Sequence, residues 1–263
     1  MRYYVNNFRS FFVYKDLLLS WTYRIIKGRY QQSILGGLWA IIVPVASTVI
    51  FSIIFTYFVP VDTGKIPYLV FSYTAMVPWT LFTSSITDMV DSLVGNMNLV
   101  SKIYFPREIL PIASLLARLV DFLIAFCVLA ILMIYYRLPA NPFGWLFLPL
   151  VLLIQISLAL GLGFIGSALN VFYRDVRHIF ILGLQIWFYA SPIIYPVSVV
   201  PTALRIFYFL NPMAGVIETY RAILLNQQLP NIYIILSAFV AILFLFIGYG
   251  LFKKVEFQFA DVI

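Results

Sequence analysis

The sequence predicts an all-α integral membrane protein with six transmembrane helices, an N-terminal helix at the membrane interface, and short re-entrant helices before the last span. The first observation is composition, since 63% of the 263 residues are apolar and only 10% are charged. Soluble domains are about half apolar and about a quarter charged. The second observation is that apolar residues fall into six stretches of about 20 residues, the length that crosses the hydrocarbon core.

The six predicted spans divide the chain into three parts. Residues 1–37 are expected to form cytoplasmic interfacial or gate helices, residues 38–252 the six spans, and residues 253–263 a cytoplasmic tail. Together, residues 1–263 are expected to form a single transmembrane domain. The predicted spans are residues 38–59, 68–87, 109–136, 145–172, 179–197 and 232–252.

The positive charges predict the orientation. Six Lys or Arg precede residue 38, and pairs follow in the loops after the second and fourth spans and in the tail, which gives twelve on one side against four on the other. Positive residues concentrate on the cytoplasmic side of membrane proteins, so both termini are expected in the cytoplasm. The basic N-terminal segment also lacks the pattern of a cleavable signal peptide.

The segment 2–33 is basic and aromatic, and it is too charged to cross the membrane. Tyr4, Phe8, Phe11 and Leu18 fall near one helical face, which predicts a helix lying in the inner interface with its Lys and Arg near anionic head groups. The alternative is a segment that only fixes the orientation of the chain.

The segment 198–231 is too apolar for an ordinary outer loop. It contains two short helical stretches separated by Asn211 and Pro212, and each is too short to span the membrane. Non-helical backbone is tolerated at membrane depth only where protein or water covers it. Residues 191–228 are therefore predicted to shape the outer mouth of a pathway, with an ordinary interfacial cap as the alternative.

Several site classes are not supported by the sequence. The run "GLGFIG" at Gly161–Gly166 lies inside a predicted span rather than between a strand and a helix, so its glycines, and Gly163 with Ser167, are interpreted as helix-packing residues. No nucleotide-binding P-loop motif occurs, so any ATP must be bound by another subunit. His178 and Cys127 are single residues, which predicts no metal site and no catalysis. The net charge of +7 does not require a nucleic-acid partner.

Arg118 and Asp121 are ionisable residues deep in the third predicted span. Three positions apart, they share one helical face and are expected to pair. The interpretation is a structural pair facing the helix bundle, with a role in conformational switching as the alternative. Asp88 and Asp91 have the same spacing at the inner end of the second span and are expected to be solvated or bound by a partner.

Aromatic residues are concentrated in the outer halves of the spans. Part of this pattern is the usual belt at the membrane interface, and part is predicted to line a conduit, because aromatic faces and tyrosine hydroxyls suit a sugar ring. The residues predicted to line this path are Phe51, Phe55, Phe58, Tyr57, Trp79, Trp187, Tyr189 and Tyr195.

Four segments together resemble a known family. They are "KGRYQQSILGGLWAIIVP" (27–44), "SLVGNMNLVSKIYFPREILP" (92–111), "NVFYRDVRHI" (170–179), and "YASPIIYPVSVVP" with "RIFYFLNPMAGVIETYRAILL" (189–225). In this order they resemble the permease subunit of ABC-2 type exporters, in the branch that exports O-antigen, capsule or teichoic acid glycans. The run "WTYRIIKGRY" departs from the family's usual charged pattern, with Tyr23 where an arginine is common.

The resemblance implies contacts with a separate ATPase subunit, which would bind ATP and Mg. It implies that residues 96–107 form a coupling helix resting on this subunit and that residues 173–178 form a second cytoplasmic contact. A solvated loop is the alternative for the first segment. The implied contact residues are Asn96, Asn98, Lys102, Tyr104, Phe105, Pro106, Arg107, Arg174, Asp175 and Arg177.

The resemblance also implies an assembly and a substrate. Two copies of this permease and two ATPase subunits would move an undecaprenyl-linked glycan across the bacterial inner membrane, among membrane lipids. The N-terminal helix would steer the lipid pyrophosphate, and the residues implied here are Arg24, Lys27, Arg29 and Tyr30. The alternatives are an exporter of a small hydrophobic drug or lipid and a glycan-modifying enzyme, which the scarcity of ionisable residues opposes.

Overall fold

A computed structural model describes residues 14–31, 34–103, 105–139 and 141–259, and within these ranges the chain is all-α with no strand. The helices are α1 (Lys15–Gln31), α2 (Trp39–Ile53), α3 (Tyr68–Ser92), α4 (Met97–Lys102), α5 (Ile109–Tyr135), α6 (Pro142–Trp145), α7 (Leu148–Phe172), α8 (Val176–Tyr189), α9 (Arg205–Tyr208), α10 (Pro212–Leu224) and α11 (Tyr233–Val255).

Four helical segments in the described ranges are long and apolar enough to cross a membrane. They correspond to the predicted first, third, fourth and sixth spans, which identifies a multi-pass membrane protein. Their bounds are Gly36–Phe58, which includes α2, Ile109–Tyr135, Pro142–Phe172, which joins α6 and α7, and Tyr233–Gln258, which includes α11.

The predicted second span is the helix α3, which is 25 residues long and lies at the centre of the bundle. It is long enough to cross, but its Ser, Thr and Asp residues make it less apolar than the four segments above. Eighteen of its residues are buried against α2, α5, α7, α8 and α10. Several hydroxyl groups of α3 are satisfied within the helix, as when Thr74 donates to the Val70 carbonyl at 2.8 Å, whereas those of Ser72 and Ser85 have no hydrogen-bond partner among the described residues.

The predicted fifth span, 179–197, is wrong at its outer end, because α8 stops at Tyr189. Its 14 residues extend about 21 Å at 1.5 Å per residue, which is shorter than the hydrocarbon core of about 30 Å. Beyond α8, the carbonyl groups of Pro192 and Ile193 accept hydrogen bonds from Arg221 instead of continuing a helix. The following apolar segment forms two short helices, α9 and α10, separated at Asn211 and Pro212 as predicted.

The helices α7 and α11 approach each other closely at glycines. A Cβ atom added to Gly161 would overlap the backbone of Phe244, and one added to Gly248 would overlap the Gly161 carbonyl. Gly163 contacts the Met89 side chain, and Gly166 contacts Val90 and Phe180. The interpretation of the "GLGFIG" run as packing glycines is therefore confirmed.

We expect Gly248→Leu to lower the yield of folded protein severely, because a large side chain must push α7 and α11 apart and remove their packing. The measurement is the fraction of protein that elutes as a single species from size-exclusion chromatography in detergent. Gly250→Leu is the matched control, since nothing lies within 4 Å of a Cβ added at Gly250. Equal yields for the two variants would contradict the close contact.

Candidate functional site

Four charged side chains from three helices form a connected network, here called the charge network. Arg29 of α1 contacts Asp88 of α3 at 2.9 Å and Asp121 of α5 at 2.7 Å. Arg118 of α5 contacts the same two carboxylates, Asp88 at 2.7 Å and Asp121 at 3.1 Å. The pair predicted between Arg118 and Asp121 is thus present, but it is half of a larger arrangement with no net charge.

The charge network fixes α1 against the bundle. Each carboxylate receives both guanidinium groups, and the Tyr30 hydroxyl also donates to Asp121. Burial, together with this hydrogen bond, raises the pKa of Tyr30 to about 12, so the hydroxyl keeps its proton. The side chains are only 15–26% exposed, which strengthens their attraction relative to a surface pair.

This geometry corrects two expectations. Asp88 is not solvated but belongs to the charge network, and Asp91 pairs with Arg177 at 3.2 Å. Arg29 and Tyr30 were expected to meet a lipid phosphate, yet both are occupied by carboxylates of the chain itself. Arg24 and Lys27 remain exposed on the other face of α1, with Arg24 stacked on Trp21 at 4.6 Å.

A cavity of about 160 Å³ lies beside the charge network, between α1, α2, α3 and α5. Arg29, Tyr30, Arg118 and Asp121 line one part of it, and the remainder is mainly apolar, including Trp39, Val43, Leu81 and Phe122. Pro44, one of the two buried residues of α2, also lines the cavity.

The aromatic residues form a continuous cluster between α2, α3 and α8. Phe51 stacks on Phe188 with their ring centroids 5.9 Å apart, and Phe188 contacts Trp79 at 5.7 Å. Trp187 contacts Phe82 at 5.4 Å, and Phe55 stacks on Tyr68 at 5.6 Å.

The residues predicted to line a path divide into two groups. Phe51, Phe55, Trp79 and Trp187 lie within the cluster, and Trp79 is only 5% exposed. Tyr57, Phe58 and Tyr189 are exposed, and Tyr195 is half-buried with its hydroxyl bonded to Tyr208. The first group is packed together, and of the second group Tyr189 contacts the cluster through Phe188, with ring centroids 5.3 Å apart.

An open groove of about 290 Å³ runs along α3 and α8 beside this cluster. Its lining includes the polar side chains Thr83, Thr87 and Gln185 together with Trp79 and Phe188. Polar side chains facing lipid are unfavourable in a membrane, so this face of the molecule is suited to contact with protein, water or a polar solute.

The segment between α3 and α5, predicted to be cytoplasmic, is less helical than expected. The helix α4 ends at Lys102, and Ile103 is extended. Asn96 is half-buried and donates to the Ser92 carbonyl, whereas Asn98 and Lys102 are exposed. Tyr104 lies outside the described residues.

Phe105 does not match the expectation of an aromatic anchor for a partner. It is 7% exposed and packs in a cluster that includes Ile109, Phe164 and Phe252. Because Phe105 is buried, the chain lies against the helix bundle just before α5 begins. Pro106, the next residue, is half-buried. In the segment 173–178, which was predicted to form a second contact with a partner, the exposed residues are Tyr173, Arg174, Asp175, Arg177 and His178.

Sequence reasoning missed a second ionic cluster, which lies at the end of α11. Lys253 at the end of α11 contacts Glu108 at 2.8 Å and Glu256 at 3.0 Å, and Glu108 is 1% exposed. Arg107, which was expected to face the ATPase, instead donates to the Glu256 carbonyl. The segment before α5 is thereby tied to the end of α11, a link between residues more than 140 positions apart.

Sequence reasoning also missed the polar contacts that hold the outer ends of α8 and α10 together. Asn211 caps α10 by accepting from the Met213 amide, accepts from the Trp187 indole at 2.8 Å, and donates to Ser191. Arg221 is completely enclosed and donates to the carbonyls of Phe71, Pro192 and Ile193. The sequence signal that could have revealed these contacts was the presence of an arginine on a short apolar helix.

The comparison with known families decides the identity. Residues 17–225 match the family described as ABC-2 type transporter, from within α1 to just beyond α10. The chain belongs to this family. The match takes in the charge network, the aromatic cluster and both outer short helices of this ABC-2 transporter chain.

Related proteins cover nearly the full length of this ABC-2 transporter chain. It is 30% identical over 249 residues to the O-antigen export system permease protein RfbA of Klebsiella pneumoniae, covering 94% of the chain and 95% of that protein. The same-named protein of Myxococcus xanthus is 29% identical over 261 residues, covering 97% and 98%. The polysialic acid transport protein KpsM of Escherichia coli is 26% identical over 238 residues, covering 89% and 91%.

Proposed function

We propose that the chain is the permease subunit of an ABC exporter that moves a lipid-linked, cell-surface glycan such as O-antigen across the bacterial inner membrane. The observation that carries the proposal is the similarity over at least nine-tenths of the chain to O-antigen export permeases. The aromatic cluster and the polar groove on α3 and α8 support it, because a sugar chain presents both apolar ring faces and hydroxyl groups.

The proposal includes six membrane-crossing segments with both termini in the cytoplasm. In addition to the four long apolar segments, α3 crosses at the centre of the bundle, and α8 crosses together with the loop that follows it. The helices α9 and α10 then form a re-entrant hairpin at the outer surface. Asn211 and Arg221 support this arrangement, because they satisfy non-helical backbone that lipid alone would leave unpaired.

The proposal also includes a homodimer. Only two residues of α2 and two of α8 are fully buried in the chain, many of their others are exposed, and the polar groove lies open between α3 and α8. A second copy related by two-fold symmetry would cover the same face on both chains. The groove would then become part of an enclosed path.

Energy would enter through a separate pair of ATPase subunits that bind ATP and Mg. Asn98 and Lys102 on α4 and Arg174 and Asp175 before α8 are exposed on one side and suit contact with such a subunit. Because Glu108 and Arg107 bind the end of α11, a push on α4 would move α5 and α11 together.

Deleting the gene in the bacterium that encodes the chain should remove the surface glycan and leave its lipid-linked form in the inner membrane, because synthesis continues without a path outward. The measurement is surface glycan by electrophoresis together with lipid-linked glycan extracted from membranes. Complementation with the wild-type chain is the control, and an ATPase partner lacking its catalytic glutamate should reproduce the deletion.

Normal surface glycan in the deletion strain would contradict the proposed substrate. The alternative, an exporter of a small hydrophobic drug or lipid, predicts instead that the strain accumulates lipophilic compounds while its surface glycan is unchanged.

A further inference from the structure

A second cavity lies at the end of the molecule opposite α4, and we call it the outer polar pocket. Its volume is about 310 Å³, within the range of about 300–1,000 Å³ typical of small-molecule sites. Four segments build it: the loop after α2, the first turn of α3, the loop after α8, and α10 with the residues that follow it. Its lining comprises Asp62, Thr63, Gly64, Ile66, Phe71, Pro196, Val197, Ser198, Glu218, Arg221, Leu225 and Asn226.

Arg221 forms the inner wall of this pocket, and it is 2% exposed. A guanidinium has five N–H donors, and three hydrogen bonds hold Arg221 to the carbonyls of Phe71, Pro192 and Ile193. Within the described part of the chain, no carboxylate lies within ion-pair distance of Arg221. Among the described residues, one N–H on each terminal nitrogen has no acceptor, and the guanidinium is also fixed by its stack on the Phe71 ring at 3.6 Å.

Two carboxylates line the same pocket. Asp62 accepts from the Gly64 amide at 2.8 Å and keeps its second oxygen available. Glu218 forms no hydrogen bond or ion pair with any residue in the described ranges, although it is half-buried and one helical turn from Arg221. Against one guanidinium, the two carboxylates give the pocket a net charge of −1.

The carboxylates and the guanidinium that line the pocket together favour an uncharged polyol as its ligand. Carboxylates only accept hydrogen bonds, a guanidinium only donates them, and Ser198, Thr63 and Asn226 can do both. Sugar hydroxyls both donate and accept, and Ile66, Val197 and Leu225 supply apolar side chains in the same lining. The net negative charge of the pocket would repel a ligand phosphate or carboxylate. The fixed guanidinium of Arg221 would repel a metal cation.

We propose that the outer polar pocket binds one uncharged sugar ring and discriminates against sugars that carry a carboxylate. The inference rests on the proposed function, in which the pocket faces the outer surface and the ring belongs to the exported glycan. It adds a binding site outside the aromatic cluster and a charge preference for the sugar bound there.

The test uses the full chain in lipid nanodiscs and saturation-transfer difference NMR. The probes are the methyl glycosides of glucose, galactose, mannose and rhamnose, and methyl glucuronide as the acidic member. We expect at least one neutral glycoside to bind and methyl glucuronide not to bind. Glu218→Gln and Asp62→Asn should each weaken the neutral glycoside about tenfold, the loss of one charge-assisted hydrogen bond, and should improve binding of the glucuronide.

The variants are chosen so that folding is preserved. Asn at position 62 retains an oxygen for the Gly64 amide, and Gln at position 218 removes no existing hydrogen bond. Asp16→Asn, on the exposed first turn of α1, is the charge-matched control and should bind sugars as the wild type does. Thermal unfolding of each variant is measured in parallel.

Three results would overturn the inference: no neutral glycoside binds, the glucuronide binds as well as the neutral sugars, or Glu218→Gln leaves both affinities unchanged. These outcomes are separate from failure of the proposed function, which the gene deletion reports. Sugar binding at the pocket together with normal surface glycan in the deletion strain would retain the pocket and reject the glycan exporter.

Discussion

Replacement of Arg118 with methionine is expected to abolish transport and to destabilise the folded chain by about 3 kcal/mol, the scale for removing one partner from a largely buried ion pair. Without Arg118, Asp88 and Asp121 must share the single guanidinium of Arg29. The repulsion between the two carboxylates would then release α1 from α3 and α5. The measurements are thermal unfolding by tryptophan fluorescence in detergent and export in the complemented deletion strain.

A double-mutant cycle separates this electrostatic effect from lost packing. Arg118→Met combined with Asp88→Asn should recover part of the stability, because the network is again without net charge. Arg137→Met, at the exposed outer end of α5, is the matched control and should behave as the wild type. If the single and double variants unfold at the same temperature, the network does not stabilise the fold through its charges.

Arg221→Met is expected to destabilise the outer end of the molecule by about 3 kcal/mol. Hydrogen bonds to charged groups contribute about 1.5–3 kcal/mol each, and unpaired buried carbonyls add a further penalty. The segment after α8 would lose its attachment to α10, since Pro192 and Ile193 are held by the two terminal nitrogens of Arg221. Export should fail even where the protein still reaches the membrane.

Limited proteolysis of the purified variant measures this release, with new cleavage expected within residues 190–197. Arg205→Met is the matched control in the same hairpin, since Arg205 makes a single hydrogen bond, to the Val200 carbonyl. Arg221→Lys should resemble Arg221→Met, because an ammonium group cannot reach three separate carbonyls in the geometry of a guanidinium. Wild-type resistance to cleavage in Arg221→Met would contradict the attachment.

The long apolar helices were predictable from the sequence because each faces lipid over much of its surface. Hydropathy and length therefore identify α2, α5, α7 and α11 directly. The helix α3 was also predicted, although its burial along most of its length depends on tertiary contacts. The error at α8 came from extending an apolar run through Pro192, where a local rule on proline would have ended the helix.

The candidate site was predictable only where its residues are close in sequence. The pairing of Arg118 with Asp121 followed from their spacing of three on one helix. The partners Arg29 and Asp88 are 59 positions apart, and Arg29 and Asp121 are 92 apart. No periodicity connects such residues, so Arg29 was assigned to a lipid phosphate and Asp88 to solvent. Glu108 and Lys253 were missed for the same reason.

The helices α2 and α8 are packed less completely than α3, so they are expected to undergo local unfolding before α3 does. In α2 only Pro44 and Thr48 are buried, and in α8 only Val176 and Leu184, whereas α3 is enclosed along most of its length. Amide hydrogens of α2 and α8 should accordingly exchange with deuterium well before those of α3 or α7.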